Sequence, residues 1–154
     1  MAQLVIDYAE WEQSVPQSIS SDALWRVEAY RLALYATDIA WHDVTKLGQD
    51  RRTVSLADQL YRALGSISAN VAEGYSRESD KEKARFYEYA HGSAREARDW
   101  YFKARHLLGE EACNDRIDRL TQITRLLNVM VRDRRNRVVK EAQAIYEADA
   151  GEMA

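Results

Sequence analysis

Apolar positions recur at spacings of three and four over four long stretches of the chain, with polar breaks between them, a period that predicts helices rather than strands. The first stretch carries Trp25, Ala29, Leu32, Ala36 and Ile39 on one face. Ser21 and Asp22 are candidate caps ahead of it and Gly48 is the stop, so a helix is expected to about Leu47. A polar link, GQDRRT, follows, and a second helix is expected from near Thr53 or Ser55 to about Tyr75, through Leu56, Leu60, Ala63, Ile67 and Val71. Ser79 and Glu82 form the S-x-x-E capping pattern before a third run. Its inner side reads Phe86, Ala90, Ser93, Ala97, Tyr101 and Ala104, and it halts at Gly109. A fourth run begins near Glu110, with Ile117, Leu120, Thr124, Leu127 and Val131 in heptad-like spacing.

Beyond Val131 the apolar lane meets Arg134 and Arg135, then resumes with Val138, Ala142 and Ile145, so the last helix is expected to outrun its neighbours. At the other end, Leu4, Tyr8, Trp11 and Val15 share a short helical face before Pro16. This segment is an arm docked on its own bundle, docked on a neighbour's, or loose. Short links between long amphipathic helices predict an all-α fold, an antiparallel up-down-up-down four-helix bundle with an N-terminal arm and an extended last helix. The expected division is an acidic arm over 1–20, the bundle over 21–137, and an acidic helical extension or tail over 138–154.

Composition narrows the function classes. A chain of 154 residues suits one domain. The single cysteine, Cys113, cannot form an internal disulfide and no cysteine cluster offers a metal site, which fits a reducing compartment. No basic n-region followed by an apolar run opens the chain and no long apolar run occurs in it, so a soluble, cytoplasmic protein with no membrane association is expected. The net charge of −3 is uneven: Asp7, Glu10, Glu12 and Asp22 give −4 over 1–23, Lys140 against Glu141, Glu147, Asp149 and Glu152 gives −3 over 138–154, and the remainder holds +4. A mildly basic body between acidic ends permits a polyanion partner, and is equally compatible with ends that only aid solubility.

Catalytic chemistry finds little support. A di-metal carboxylate centre needs two E-x-x-H motifs, and the chain has one, Glu88 and His91, on the side of the third helix away from its apolar face. Cys113 sits in an acidic helix start, EEACND, where neighbouring carboxylates oppose a thiolate. His42 and His106 have no local triad partner, and no glycine-rich phosphate loop occurs. No enzyme activity, cofactor or metal is expected.

Two features call for another explanation. In SISANVAEGYSR, residues 66–77, Ile67, Val71 and Gly74 fall together on the helical wheel beside a polar lane of Gln59, Ser66, Asn70 and Glu73. Small residues admit a second helix closely, and Asn70 reads as a buried polar group fixing register, with Glu73 its partner or a satisfier of backbone donors on a neighbouring helix. On the third helix His91, Arg95, Arg98, Phe102 and Arg105 recur at four, three, four and three, a basic stripe with an exposed aromatic in it. Arginines suit phosphate oxygens and Phe102 suits an unpaired base. The plainer alternative is a solvated face with Arg95–Asp99 and Asp99–Lys103 pairs. Further candidates for anion binding are Arg132, Arg134 and Arg135, with Arg137 beside them, and Arg77 and Lys81 at the start of the third helix.

The segments LWRVEAYRLA at 24–33, LADQLYRALGSISANVAEGYSR at 56–77, FYEYAHGSAREA at 86–97 and LLNVMVRD at 126–133 resemble small bacterial four-helix-bundle proteins first recognised as products of intervening sequences in large-subunit ribosomal RNA genes. The resemblance spans about residues 22 to 133, and its most specific parts are the S-I-x-x-N-V-A-E-G run and the G-S-x-x-E run at Gly92, Ser93 and Glu96. It implies a ring-like homopentamer associated with RNA or DNA. It maps the family's signature onto Asn70, Glu73, Gly74, Ser93 and Glu96 as architectural positions and carries no catalytic residue. A related branch comprises accessory proteins of diversity-generating retroelements, which bind a reverse transcriptase and its RNA. Two functions are therefore expected to compete: a non-enzymatic nucleic-acid-binding accessory protein, and a protein-interaction scaffold such as a reverse-transcriptase subunit. The acidic arm and the residues after about 138 depart from the family pattern and favour protein docking.

Overall fold

The computed structural model describes residues 7–152; Leu4, read above as part of the arm's apolar face, lies outside them. The chain is all-α, with helices α1 (Tyr8–Ser14), α2 (Gln17–Ser20), α3 (Glu28–Leu47), α4 (Val54–Tyr75), α5 (Asp80–Leu108) and α6 (Glu110–Glu152), and a 3-10 turn at Ala23–Arg26. The four long helices pack in chain order, α3 on α4, α4 on α5 and α5 on α6, and α3 also touches α6.

Each boundary has a local cause. The Thr53 hydroxyl donates to the Leu47 carbonyl at 2.6 Å, satisfying one of the orphan acceptors at the end of α3. At the other end of α4, Lys83 Nζ donates to the Tyr75 carbonyl at 2.9 Å. Half of the expected capping box forms: the Glu82 N–H donates to Ser79 Oγ at 3.2 Å, while the Glu82 carboxylate accepts from the Ser79 hydroxyl at 3.5 Å and not from its backbone N–H. One residue, Gly109, separates α5 from α6; its φ of 89° is open to glycine at little cost, and its N–H donates to the Arg105 carbonyl at 2.9 Å.

The start of the first long helix differs from expectation. Asp22 does cap, accepting from the Leu24 N–H at 2.8 Å, but what it caps is the 3-10 turn. Val27 is extended and α3 begins only at Glu28. The turn drops Trp25 sideways from the core into a separate cluster with the arm: Trp11 is buried against Tyr35 and Ile39, with Tyr8, Val15 and Trp25 packed around them. Trp11 Nε1 donates to Asp38 at 2.6 Å, so the arm docks on α3 of its own chain.

The main core runs along the interior of the long helices and is narrow because α5 contributes mostly alanines: Ala84, Ala90, Ala94, Ala97 and Ala104, with Tyr87 and Tyr101, are its buried positions. Phe86 and Ser93, expected inside, sit half-buried at the flank, one step around the helix from Tyr87 and Ala94. Gly74 shows why small residues are needed on α4: a Cβ there would lie 2.8 Å from the Tyr87 ring and 2.9 Å from Phe86 Cβ. From Val139 to Gly151 α6 is exposed all round.

Candidate nucleic-acid interface

The stripe on α5 is positioned by the seam between α5 and α6. Arg98 Nη1 donates to Thr121 Oγ1 at 3.2 Å, and Arg135 makes a two-pronged pair with Glu88, Nη2 to both carboxylate oxygens at 2.8 Å. Arg134 donates to Asp80 at 2.8 Å. The residue numbers rise on α6 as they fall on α5, so the two helices run in opposite directions and one outer face is shared between them.

Stepping about 100° per residue around each helix from these seam residues shows who shares that face. On α5 it holds Arg95, Arg98, Phe102 and Arg105; on α6 it holds Arg125, Arg132 and Arg135 beside Thr121. Arg95, Arg125 and Arg132 are exposed and have no hydrogen-bond or ion-pair partner among the described residues. Phe102 is 55% exposed, with the Arg105 guanidinium 4.0 Å from its ring centroid. Arg105 Nη1 also donates to the Phe102 carbonyl at 2.8 Å, which holds the guanidinium against the ring. Half-buried His91 begins the row, and its pKa is pushed below 6.5, first by burial and then by Arg95 and Arg98. The imidazole therefore adds no charge to the face at neutral pH.

The remaining candidates divide. Lys81 is exposed on the same side of α5, about 21 Å toward its start. Arg134 is committed to Asp80. Arg77 lies elsewhere: it pairs with Glu73 and stacks on Phe86 at 4.9 Å, on the α4 side of α5 and opposite the arginine face. Glu73 thereby pairs at its own helix end and accepts from no donor of another helix among the described residues. Asn70 is half-buried and donates to the Ser66 carbonyl of its own helix at 2.8 Å, so within this chain the polar lane bonds along α4 and not across the contact. Ser93 is half-buried, and Glu96 is exposed and accepts from Trp100 Nε1 at 3.2 Å.

Two features escaped sequence reasoning. Arg125 was not singled out, although its spacing of four from Thr121 places it on the shared face. The core also holds an ionic network: Asp43 accepts from Tyr101 Oη and from Arg116 Nε, both at 2.9 Å, and Arg116 also donates to Asp115 at 2.7 Å. Burial pushes the Asp115 carboxyl up, but the hydrogen bonds from Arg119 and Arg116 outweigh it and leave the pKa lowered. Cys113 is buried beside this network, and burial first, then Asp43, raises its thiol pKa, so it stays protonated and packed.

The structure thus defines a small all-helical protein with an arginine-rich outer face on its last two helices. The chain belongs to the 23S rRNA-intervening sequence protein family, whose model matches residues 26–129. No curated protein and no solved structure matches it. The matched region ends just after Arg125, so the distal part of α6 lies outside it.

Proposed function

We propose that this is a non-enzymatic, oligomeric accessory protein that associates with RNA through the α5–α6 arginine face. The observation carrying the proposal is the row of Arg95, Arg125 and Arg132, all exposed and unpaired among the described residues, around an exposed Phe102. Unpaired guanidinium groups suit phosphate oxygens, and Phe102 offers a stacking surface to an unpaired base. The family's link to ribosomal RNA supports RNA as the polyanion.

The underlying architecture is an antiparallel up-down-up-down bundle, supported by the opposed numbering across the α5–α6 seam and the short links between the long helices. Assembly into a ring, a pentamer by resemblance, would set several such faces side by side and multiply a weak site by avidity. Exposed Trp41 and Tyr61, edge to face at 5.9 Å on α3 and α4, offer an apolar contact for a neighbouring copy on the side away from the arginines. Such a protein would work in the cytoplasm without a cofactor.

Binding of a single-stranded RNA at increasing salt tests this. Affinity should fall with a log–log slope of about 0.7 per phosphate contact, and R95Q/R125Q should lower both affinity and slope while far-UV circular dichroism is unchanged. Equal affinity and slope in the double variant would remove the arginine face from consideration.

A further inference from the structure

The distal part of α6 carries a row of its own. Val138, Glu141, Ile145 and Asp149 recur at three, four and four along one edge of the helix, and Ile145 is 63% exposed. Glu141, Glu147 and Asp149 have no ion-pair partner among the described residues. Val139, Ala142 and Tyr146 adjoin this edge, and Tyr146 is 76% exposed. A helical segment with such an apolar edge and no neighbour is stabilised by whatever covers it.

We propose that the α6 extension of one copy lies along the α5 arginine row of a second copy, where it takes the place of nucleic acid. The two rows are close in length and share their first two steps of three and four. Arg95, Arg98, Phe102 and Arg105 span about 15 Å at three, four and three, and Val138 to Asp149 spans about 17 Å. In one, guanidinium groups surround an exposed aromatic; in the other, carboxylates flank an exposed isoleucine. Apolar meets apolar at the centre, and opposite charges meet on either side.

The occupant is a second copy for two reasons. No Gly or Pro lies between Gly109 and Gly151, so α6 has no residue at which to fold back on its own α5. Phe102 shares a surface hollow with Ile117, and Ile145 lies about 42 Å further along the same straight helix. Two extensions pairing with each other would set like charges together, since Glu141, Glu147 and Asp149 outnumber Lys140. The competitive half of the proposal rests on the RNA reading above; the contact between copies does not.

The full-length variant F102C/I145C, made together with C113A because Cys113 lines the same hollow as Phe102, separates the two, each single variant carrying C113A as well. Incubated in a glutathione redox buffer and run without reductant, it should form disulfide-linked multimers that neither single variant forms, because 42 Å within one copy is far beyond a disulfide. No link in the double variant, or an equal link in I145C alone, overturns the docking. In parallel, E141Q/D149N should bind single-stranded RNA severalfold more tightly than E10Q/D22N, which changes the charge equally at the other end of the chain. Equal affinities overturn the competition. Disulfide formation without RNA binding by any variant would leave the docking in place and end the RNA function.

Discussion

Arg116 on α6 reaches across the interior to Asp43 on α3, its Nε 2.9 Å from the carboxylate, with both side chains almost fully enclosed. Tyr101 on α5 donates to the same oxygen, so three helices meet at one buried charge. A pair of this kind adds little over a well-packed apolar replacement, but losing one partner strands the other in a medium that cannot solvate it. D43A should therefore cost about 3–5 kcal/mol in urea unfolding, and D43L/R116M should recover most of that. A double variant no more stable than D43A would mean that the network contributes more than the sum of its desolvation and packing.

Two glycines in α4 should respond to alanine with opposite signs. At Gly74 the new methyl meets the Tyr87 ring at 2.8 Å and Phe86 Cβ at 2.9 Å, so α5 or these side chains must shift to admit it. G74A should lose about 1–2 kcal/mol, the cost of overpacking less the helix-propensity gain. At Gly65 nothing lies within 4 Å of the new Cβ, so G65A should gain about 0.5–1 kcal/mol. Paired thermal unfolding curves at one protein concentration check both. Loss of stability in G65A would instead mean that another copy occupies that surface.

RNA affinity should depend on His91 below neutral pH. Its folded pKa lies below 6.5, so the ring is neutral at pH 7 and the arginines beside it oppose protonation. A bound phosphate reverses that opposition and raises the pKa in the complex, so binding takes up a proton. Affinity should increase as pH falls from 7 through the lower end of the imidazole range, because the protonated ring joins the arginines around the phosphate. H91Q should flatten the profile, and a profile identical to that of the unsubstituted chain would exclude His91 from the interface.

The helix ends were legible because their signals are local. Gly48, the Ser79–Glu82 box and Gly109 act within a turn of where they stand, and α3, α4 and α5 end within a residue or two of the expected positions. The start of α3 was not, because Asp22 is as good a cap for a 3-10 turn as for an α-helix, and only the packing of Trp25 onto Trp11 decides between them. The Asp43–Arg116 pair spans 73 positions and its Tyr101 arm 58, so no sequence window holds both partners. Asn70 misled for a related reason: its spacing fits a partner across the helices as well as the Ser66 carbonyl one turn back. The α5 stripe could be read from one helical wheel, whereas Arg125 needed the relative rotation of two.

The 43 residues of α6 make a spar about 65 Å long, against about 44 Å for the 29 residues of α5. A free particle of that outline diffuses more slowly than a sphere of equal mass, and in gel filtration would pass for a larger species. If the spars are instead laid along neighbouring copies, the outline closes and friction per subunit falls. The ratio of the Stokes radius to the mass from light scattering thus reports whether the spar is free, without any label or substitution.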